Sequence, residues 1–234
     1  MGAGKPISDA IIYGISWKFT PFKAQTITIA QGTADWRDFA QARRRPNVPK
    51  TSSRPQALRK TVVLVGMMGS GKTAVGTALA RLLGVPFLDS DEEIVKAAQM
   101  PVAEIFERDG EPFFRARESE VIERLLSGPP AVVSTGGGAF MSERNREMIA
   151  RLGVSVWLKA DLDLLWNRVK HKNTRPLLRT ADPKATLTNL LAQREPVYAL
   201  AQVAVEAEPA LPIEAMAQKV ADALQAQGGL FEEE

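Results

Sequence analysis

A glycine-rich segment of this chain has the composition and spacing of a phosphate-binding loop. Residues Gly66–Thr73 match the pattern G-x-x-x-x-G-K-[ST], in which glycines let successive backbone N–H groups face a common anion. The segment follows the β-branched run Thr61–Val65 and precedes apolar residues at helical spacing, so a helix N-terminus adds its positive dipole. Here Lys72 is expected to reach the β- and γ-phosphates and Thr73 to hold Mg²⁺. The alternative is a tight turn without a ligand, and the pattern alone does not separate kinases from GTPases, ATPases or transporters.

A pair of carboxylates follows the next apolar run. Asp89 and Asp91 come directly after Val85–Leu88, and residues two apart in an extended segment point the same way. The carboxyl ends of parallel strands form the crevice in which such sheets bind ligands. These side chains are therefore candidates to serve Mg²⁺ and an acceptor hydroxyl. The alternative for Asp91 is a cap on the helix that follows.

Three further segments are candidates to complete a phosphoryl-transfer site, which needs an acceptor pocket and added positive charge. Arg115 and Glu118 are three apart in a predicted helix and share one face, so they can pair, either in a site or on the surface. Gly136–Gly138 would admit a ligand close to the backbone, or form an ordinary turn. The basic segment Arg168–Arg179 could close over a nucleotide, or remain a solvated loop.

The elements that must position these residues alternate along the chain. Alternation of strands with helices predicts a parallel sheet covered on both faces. The predicted strands are 61–65, 85–88, 131–134, 154–158 and a short run at 202–205, and the predicted helices are 73–83, 91–98, 102–108, 111–126, 142–151, 161–170, 183–194 and 212–226.

Charge is distributed unevenly along the 234 residues. Residues 1–60 carry 11 Lys or Arg and three acids, a balance of +8, so the remainder of a chain with net charge +3 balances at −5. Residues 1–57 are predicted to be a basic, flexible N-terminal extension, with a phosphate-polymer contact, a membrane-surface contact or a transit peptide as alternatives.

Composition restricts the remaining classes. The absence of cysteine excludes disulfides and thiolate metal sites and fits a cytoplasmic location. The longest stretch without a charge, Leu125–Ser142, contains prolines and glycines that would break a membrane helix. We therefore expect no membrane span and no nucleic-acid partner, and we expect a monomer.

Taken in order, the motifs resemble those of the shikimate kinase family. The matching motifs are the loop at 66–73, D-x-D at 89–91, F-R-x-x-E at 114–118, the glycines at 136–138, R-P-L-L at 175–178 and R-x-x-x-Y at 194–198. The resemblance spans residues 58–226, with a lid at about 170–182, and leaves 227–234 as an acidic tail. It implies an α/β, three-layer P-loop NTPase fold of the nucleoside-monophosphate-kinase type, with about five parallel strands.

The resemblance also implies a role for each matching residue. The reaction would transfer the γ-phosphoryl group of ATP to the 3-hydroxyl of shikimate, with Asp91, Lys72 and Arg175 as the catalytic residues. Mg²⁺ would be held by Thr73 and, through water, by Asp89. ATP would be bound by Gly69, Ser70, Gly71, Lys72, Thr73, Arg168 and Arg175, and shikimate by Asp91, Arg115, Gly137 and Arg194.

Two other functions remain open at the level of the sequence. One is a different small-metabolite kinase on the same fold, such as a gluconate kinase. The other is a nucleotide-binding regulatory module that has lost catalysis and engages a partner through its basic N-terminal residues.

Overall fold

The computed structural model of this protein describes residues 58–171 and 176–231, apart from the side chain of Pro176. The predicted extension 1–57, Arg175 and the last three residues of the predicted acidic tail lie outside the described residues. No described helix combines the length and apolar content that crossing a membrane requires.

Five strands form a single sheet in the described part of the chain. Their order is β2-β3-β1-β4-β5, and every neighbouring pair is parallel. The register places Val63 opposite Val133 on one side and Ser155 on the other. The strands are β1 (Thr61–Val65), β2 (Phe87–Asp89), β3 (Val132–Ser134), β4 (Gly153–Lys159) and β5 (Val203–Glu206).

Helices connect the strands in the predicted alternation. Two short 3₁₀ turns, Ala139–Met141 and Pro176–Leu178, accompany them. The α-helices are α1 (Lys72–Leu83), α2 (Ser90–Ala98), α3 (Val102–Leu126), α4 (Glu143–Leu152), α5 (Leu162–Val169), α6 (Pro183–Tyr198) and α7 (Ile213–Gln227).

The alternation of side chains along β1 builds the two faces of the sheet. Val62 and Leu64 belong to the apolar cluster that includes residues of α1 and α7, whereas Val63 and Val65 belong to the cluster that includes residues of α3, α4 and α6. Both faces are therefore covered, which explains why β1 is fully buried and is apolar from Val62 to Val65. The predicted three-layer α/β fold is confirmed.

The connections leave a crevice at the carboxyl edge of the sheet. The chain leaves β1 toward β2 but leaves β3 toward β4, which lies on the other side of β1. Divergent connections of this kind mark the point where α/β sheets bind ligands. The loop Gly66–Thr73 and the glycines Gly136–Gly138 both begin there, just after β1 and β3.

The structure differs from the sequence predictions at several element ends. The second strand is Phe87–Asp89, and the cap of α2 is Asp89, whose carboxylate accepts from the backbone N–H of Asp91 at 3.0 Å. The suggestion that Asp91 caps this helix was therefore wrong. Asp161 does cap α5, but Ser142 makes no side-chain capping bond to α4.

The helical region 102–126 contains the predicted interruption. Gly110 has φ 79° and ψ 171°, a conformation open essentially to glycine alone, and it bends α3 between its two straight parts. Pro112 follows near the start of the second part, where a missing N–H costs little.

Candidate active site

The loop after β1 has the backbone geometry of an anion cradle. Gly66, Gly69 and Gly71 all have positive φ, at 138°, 86° and 101°. A Cβ on Gly66 would lie 2.8 Å from Leu158 O, and a Cβ on Gly69 would lie 2.8 Å from Val169 Cγ1. Larger residues would therefore be strained in conformation and would also clash at these two positions.

Lys72 lies inside this loop. Its ammonium group donates to Gly66 O at 2.8 Å and to Met67 O at 3.0 Å, and the side chain is largely buried. The hydroxyl of Ser70 is buried without a hydrogen-bond partner among the described groups, as expected where the loop faces a polar ligand. Together these groups form a cationic concavity suited to phosphates.

The carboxylate of Asp89 faces the first turn of α1. Thr73 Oγ1 donates to Asp89 Oδ2 at 3.5 Å, while Asp89 Oδ1 caps α2. One hydroxyl and one carboxylate suit Mg²⁺, which prefers a few protein oxygens together with water and phosphate ligands. Within the described ranges, no three or more His, Asp or Glu side chains are gathered as a metal site. Any Mg²⁺ held here would thus depend on phosphate and water oxygens.

Each of the three glycines after β3 touches a charged group from another element. A Cβ on Gly136 would lie 2.8 Å from Asp91 Oδ1, and one on Gly138 would lie 2.5 Å from Arg115 Nη2. A Cβ on Gly137 would lie 3.4 Å from Arg194 Nη1 and 3.7 Å from Gly66 O. The glycine run therefore lets Asp91, Arg115 and Arg194 converge beside the phosphate-binding loop.

Arg115 is held between two carboxylates. Its Nη1 donates to Glu118 Oε2 at 2.8 Å, and its Nε and Nη2 donate to Glu111 Oε1 at 3.2 and 3.1 Å. The side chain of Glu118 is 1% exposed, so the alternative of a surface ion pair was wrong for this residue. Burial raises the pKa of the Glu118 carboxyl above its ordinary value, because desolvation of the charged form outweighs the attraction of Arg115.

Arg194 is linked to Gly137 through a phenol. Tyr198 Oη donates to Gly137 O at 2.5 Å, and the charged side chain of Arg194 interacts with the same hydroxyl. Burial raises the pKa of Tyr198 to about 12, although the positive charge of Arg194 opposes this shift. The phenol therefore remains neutral and keeps its proton throughout the physiological range.

These groups line a cavity of about 630 Å³ next to the phosphate-binding loop. The cavity combines cations, carboxylates and a small apolar wall, which suits a compact polar molecule better than a flat nucleobase. Its lining consists of Met68, Asp91, Val102, Ala103, Phe106, Glu107, Glu111, Phe114, Arg115, Glu118, Gly136, Gly137, Gly138, Leu177, Arg179 and Arg194.

Arg168 contacts the opposite side of the loop. Its Nη1 donates to Gly69 O and Ser70 O, both at 3.2 Å. The role of Arg168 in binding ATP stays a prediction. Arg175 lies outside the described residues.

The sequence did not reveal the functional role of several residues of the site. Tyr198 lies four residues after Arg194 on α6, so helical spacing already placed the two on one face. Glu118 was predicted only as a partner of Arg115. The apolar wall of Phe106 and Leu177 carried no distinguishing pattern, because isolated apolar residues occur in every amphipathic element.

Comparison with known proteins gives one consistent result. The family model described as shikimate kinase matches residues 68–225. A shikimate kinase from Cereibacter sphaeroides is 63% identical over 185 residues, which cover 79% of this chain and 92% of that protein. One from Ruegeria pomeroyi is 66% identical over 168 residues, covering 72% and 86%.

Solved structures agree with the sequence relatives. A shikimate kinase from Acinetobacter baumannii in complex with shikimate is 38% identical, with a TM-score of 0.68, and the match covers 71% of this chain and 93% of that one. A shikimate kinase from Aquifex aeolicus is 32% identical, with a TM-score of 0.63 and coverage of 71% and 96%.

Proposed function

This chain belongs to the shikimate kinase family, and on that basis we propose which of its residues carry out the transfer of phosphate from ATP to shikimate. The protein is an ATP-dependent kinase that phosphorylates shikimate. The observation that supports the assignment of roles is the convergence of Asp91, Arg115 and Arg194 on one cavity beside the loop of Lys72.

The nucleotide side of the reaction is assigned to the loop after β1. The backbone of Gly69–Lys72 and the ammonium group of Lys72 bind the phosphates, and Lys72 offsets the charge that develops during transfer. The ammonium group of Lys72 lies at the loop, where it donates to Gly66 O and Met67 O. Arg168 and Arg175 are proposed to contribute from the edge of the site.

Mg²⁺ is proposed as the cofactor, held at Thr73 directly and at Asp89 through water. The 3.5 Å contact between these two side chains places a hydroxyl and a carboxylate together at the entrance to α1. When bound, the ion would supply positive charge that offsets the negative charge of the phosphates. The chain itself contributes the oxygen ligands and their fixed orientation.

The acceptor side of the reaction is assigned to the cavity. Shikimate is a small carboxylate with neighbouring hydroxyls, and the planar guanidinium groups of Arg115 and Arg194 match a carboxylate in two-pronged hydrogen bonds. Glu118 and Glu111 hold Arg115 in place for this contact. Asp91 is positioned on the glycine side of the cavity to orient a ring hydroxyl.

The chemical step proposed is an in-line displacement at the γ-phosphorus. The oxygen of the 3-hydroxyl forms a bond to phosphorus, the bond to the ADP oxygen breaks, and the hydroxyl proton passes to Asp91. Most of the rate acceleration comes from orienting the two substrates and neutralising charge, because the protein forms no covalent bond during phosphoryl transfer. The products are ADP and shikimate 3-phosphate.

An assay of ADP release tests this proposal against its closest rival. The full chain is supplied with ATP and Mg²⁺ and with shikimate, gluconate or no acceptor. We expect turnover that depends on shikimate, and phosphorus NMR of the product should place the phosphate on the 3-position. Turnover of gluconate without turnover of shikimate would overturn the assignment, and ATP hydrolysis that no acceptor stimulates would favour a regulatory module.

We also propose how the chain is organised and where it acts. The catalytic domain begins at about residue 58, and residues 1–57 form a basic extension that does not take part in catalysis. A monomer is proposed as the active form. The cytoplasm, where ATP is available, is proposed as its location, with no nucleic-acid partner.

A further inference from the structure

A single buried oxygen atom joins two of the groups assigned to shikimate. Tyr198 is fully buried, and its hydroxyl donates to Gly137 O at 2.5 Å. The guanidinium group of Arg194, one turn earlier on α6, interacts with the same hydroxyl. The phenol oxygen therefore lies between a guanidinium group and a backbone carbonyl, and both of these residues line the cavity.

The chemistry of the three groups fixes how the hydroxyl can serve both neighbours. A guanidinium group can only donate and a carbonyl can only accept, whereas a phenol has one proton and free lone pairs. Because Tyr198 donates its proton to Gly137 O, its hydroxyl presents lone pairs to the guanidinium group of Arg194. Because the peptide group is planar, anchoring this carbonyl also fixes the whole peptide plane between Gly137 and Gly138.

We propose that Tyr198 is a positioning residue for the acceptor, whose hydroxyl holds Arg194 and the peptide after Gly137 in one fixed arrangement that receives shikimate. The proposal rests on the proposed function, because it assigns both groups to the acceptor. Groups that are already ordered lose less freedom when a ligand binds, so their interactions contribute more fully to affinity. A site must also be held by a supporting shell if its geometry is to be reproducible.

The aromatic ring of Tyr198 has a separate, structural role. It stacks against Trp157 of β4, with ring centroids 6.2 Å apart and planes inclined by 27°. Substitution Tyr198→Phe keeps this ring and removes only the oxygen. It leaves Gly137 O and one N–H of Arg194 without their shared partner, so it separates positioning from packing.

The first experiment compares steady-state kinetics of Tyr198→Phe and the wild type in the full chain. We expect the KM for shikimate to rise about tenfold, which corresponds to about 1.4 kcal/mol. The KM for ATP should stay within about twofold, since the ATP contacts lie elsewhere in the loop. Unchanged kinetics, or equal effects on both KM values, would overturn the proposal.

Ser155→Ala is the matched control for the loss of a buried hydroxyl. The Ser155 hydroxyl accepts from the backbone N–H of Gln202 at 3.0 Å, within the sheet and outside the cavity lining. This variant should lower the Tm by an amount similar to Tyr198→Phe while leaving both KM values unchanged. A rise in the shikimate KM of the control equal to that of Tyr198→Phe would assign the effect to general destabilisation and overturn the proposal.

A double-mutant cycle with Arg194→Lys tests whether Tyr198 acts through Arg194. Residues that work as one unit give non-additive effects. The double variant should therefore raise the shikimate KM by clearly less than the product of the two single effects. Independent, multiplicative effects would overturn the positioning role while leaving the kinase assignment intact. A wild-type chain that does not phosphorylate shikimate would overturn both.

A ring-fluorinated tyrosine at position 198 keeps the proposal testable should Tyr198→Phe fold poorly. The chain has two tyrosines, so in a Tyr13→Phe background only position 198 takes up the fluorinated residue. The fluorinated ring keeps its hydroxyl, but that hydroxyl ionises at a lower pH than that of tyrosine. Arg194 is the charged group at this hydroxyl, and Gly137, Met67 and Trp157 around it do not titrate. The shikimate KM should rise as the phenol ionises, because a phenolate cannot donate to Gly137 O. A pH profile equal to that of the parent would overturn the proposal.

Discussion

The side chain of Lys72 folds back onto the loop that carries it, with its ammonium group 2.8 Å from Gly66 O and 3.0 Å from Met67 O. Substitution Lys72→Ala should lower kcat at least about a hundredfold, the usual effect of removing a preorganised charge-stabilising donor. The fold should survive, because Lys72 belongs to neither of the apolar clusters that cover the two faces of the sheet. Circular dichroism and ADP-release kinetics measure the two effects separately.

Lys96→Ala is the control for this substitution. Lys96 is well exposed on α2 and pairs with Glu93 at 2.8 Å, a contact of little energetic consequence at a surface. Its kinetics should equal those of the wild type. Wild-type rates in Lys72→Ala would contradict the assignment of the phosphate-binding loop.

Glu118 should give the protein a pH-dependent stability that can be measured. Burial raises the pKa of this carboxyl in the folded state above its value in the unfolded state. At a pH between these two values, the folded protein keeps the proton on Glu118 and the unfolded protein has released it. The stability contributed by the protonated form is complete below the unfolded value and is lost as the pH rises through the folded value. Glu118→Gln has no carboxyl to titrate, so it does not lose this stability as the pH rises. Its unfolding free energy relative to wild type should therefore increase from pH 4.5 to pH 7, by about 1.4 kcal/mol for each unit by which folding raises the pKa.

Urea unfolding at both pH values measures this difference. Val121→Ala, on the same helix, is a control that lowers stability by removing buried apolar atoms without changing a titratable group. Its difference from wild type should be the same at both pH values. A pH-independent difference for Glu118→Gln would contradict the raised pKa.

At the residue scale, the sequence predicts what lies close together along the chain. The loop at 66–73 is recognisable because one contiguous segment carries both the glycines and the lysine. The pairing of Arg115 with Glu118 followed from helical spacing, but the burial of Glu118 did not. Its burial depends on β3 and α2 packing against α3, and no local pattern encodes that contact.

Among the elements, the bend in α3 has the clearest functional consequence. Gly110 separates Phe106 from Glu111, and both of these residues line the cavity. Alanine at this position would occupy a backbone region that costs about 1–3 kcal/mol for residues other than glycine. We expect Gly110→Ala to lower the unfolding free energy by this amount and to raise the KM for shikimate, because any straightening of the helix displaces the cavity wall.

Gly84→Ala is the matched control for backbone strain. Gly84 ends α1 in the left-handed conformation, with φ 68° and no atom within 4 Å of an added Cβ, and it does not line the cavity. This variant should lose about 1 kcal/mol of stability with no change in either KM. Equal kinetic effects of the two substitutions would contradict the proposed role of the bend.

Element types followed from the sequence more closely than element ends did. The break at Gly110 was predicted, because separate helices were expected over 102–108 and 111–126. The end of α6 was predicted at Arg194, but the helix continues through Pro196 to Tyr198. A proline in the last turn removes a single helical hydrogen bond, and the buried ring and hydroxyl of Tyr198 offset that loss.

At the scale of the whole molecule, the described domain and the N-terminal residues differ in charge. Residues 1–60 carry most of the basic excess, whereas the remainder is acidic overall. The parallel order of the strands places Gly66–Thr73, Asp89 and Gly136–Gly138 at one edge of the sheet, and the sequence could predict this because alternating elements imply parallel strands. The start at residue 58 was predicted from the resemblance to the shikimate kinase family and not from a local pattern, since it depends on a contact between the two ends of the described chain.

That contact defines the last prediction, which concerns removal of the N-terminal residues. Leu58 is buried, with 6% of its surface exposed, and it forms an antiparallel β-bridge with Phe231. The next residue, Arg59, donates its backbone N–H to Leu230 O at 2.8 Å. A chain of residues 58–234 keeps these contacts and the whole described cavity, so its kcat and both KM values should stay within about twofold of the full chain. A chain of residues 61–234 loses the buried leucine and should be about 1.5–3 kcal/mol less stable, with a Tm lower by several degrees. Thermal unfolding and kinetics of the three chains measure these effects, and a tenfold loss of kcat/KM in the 58–234 chain would show that the N-terminal residues take part in catalysis.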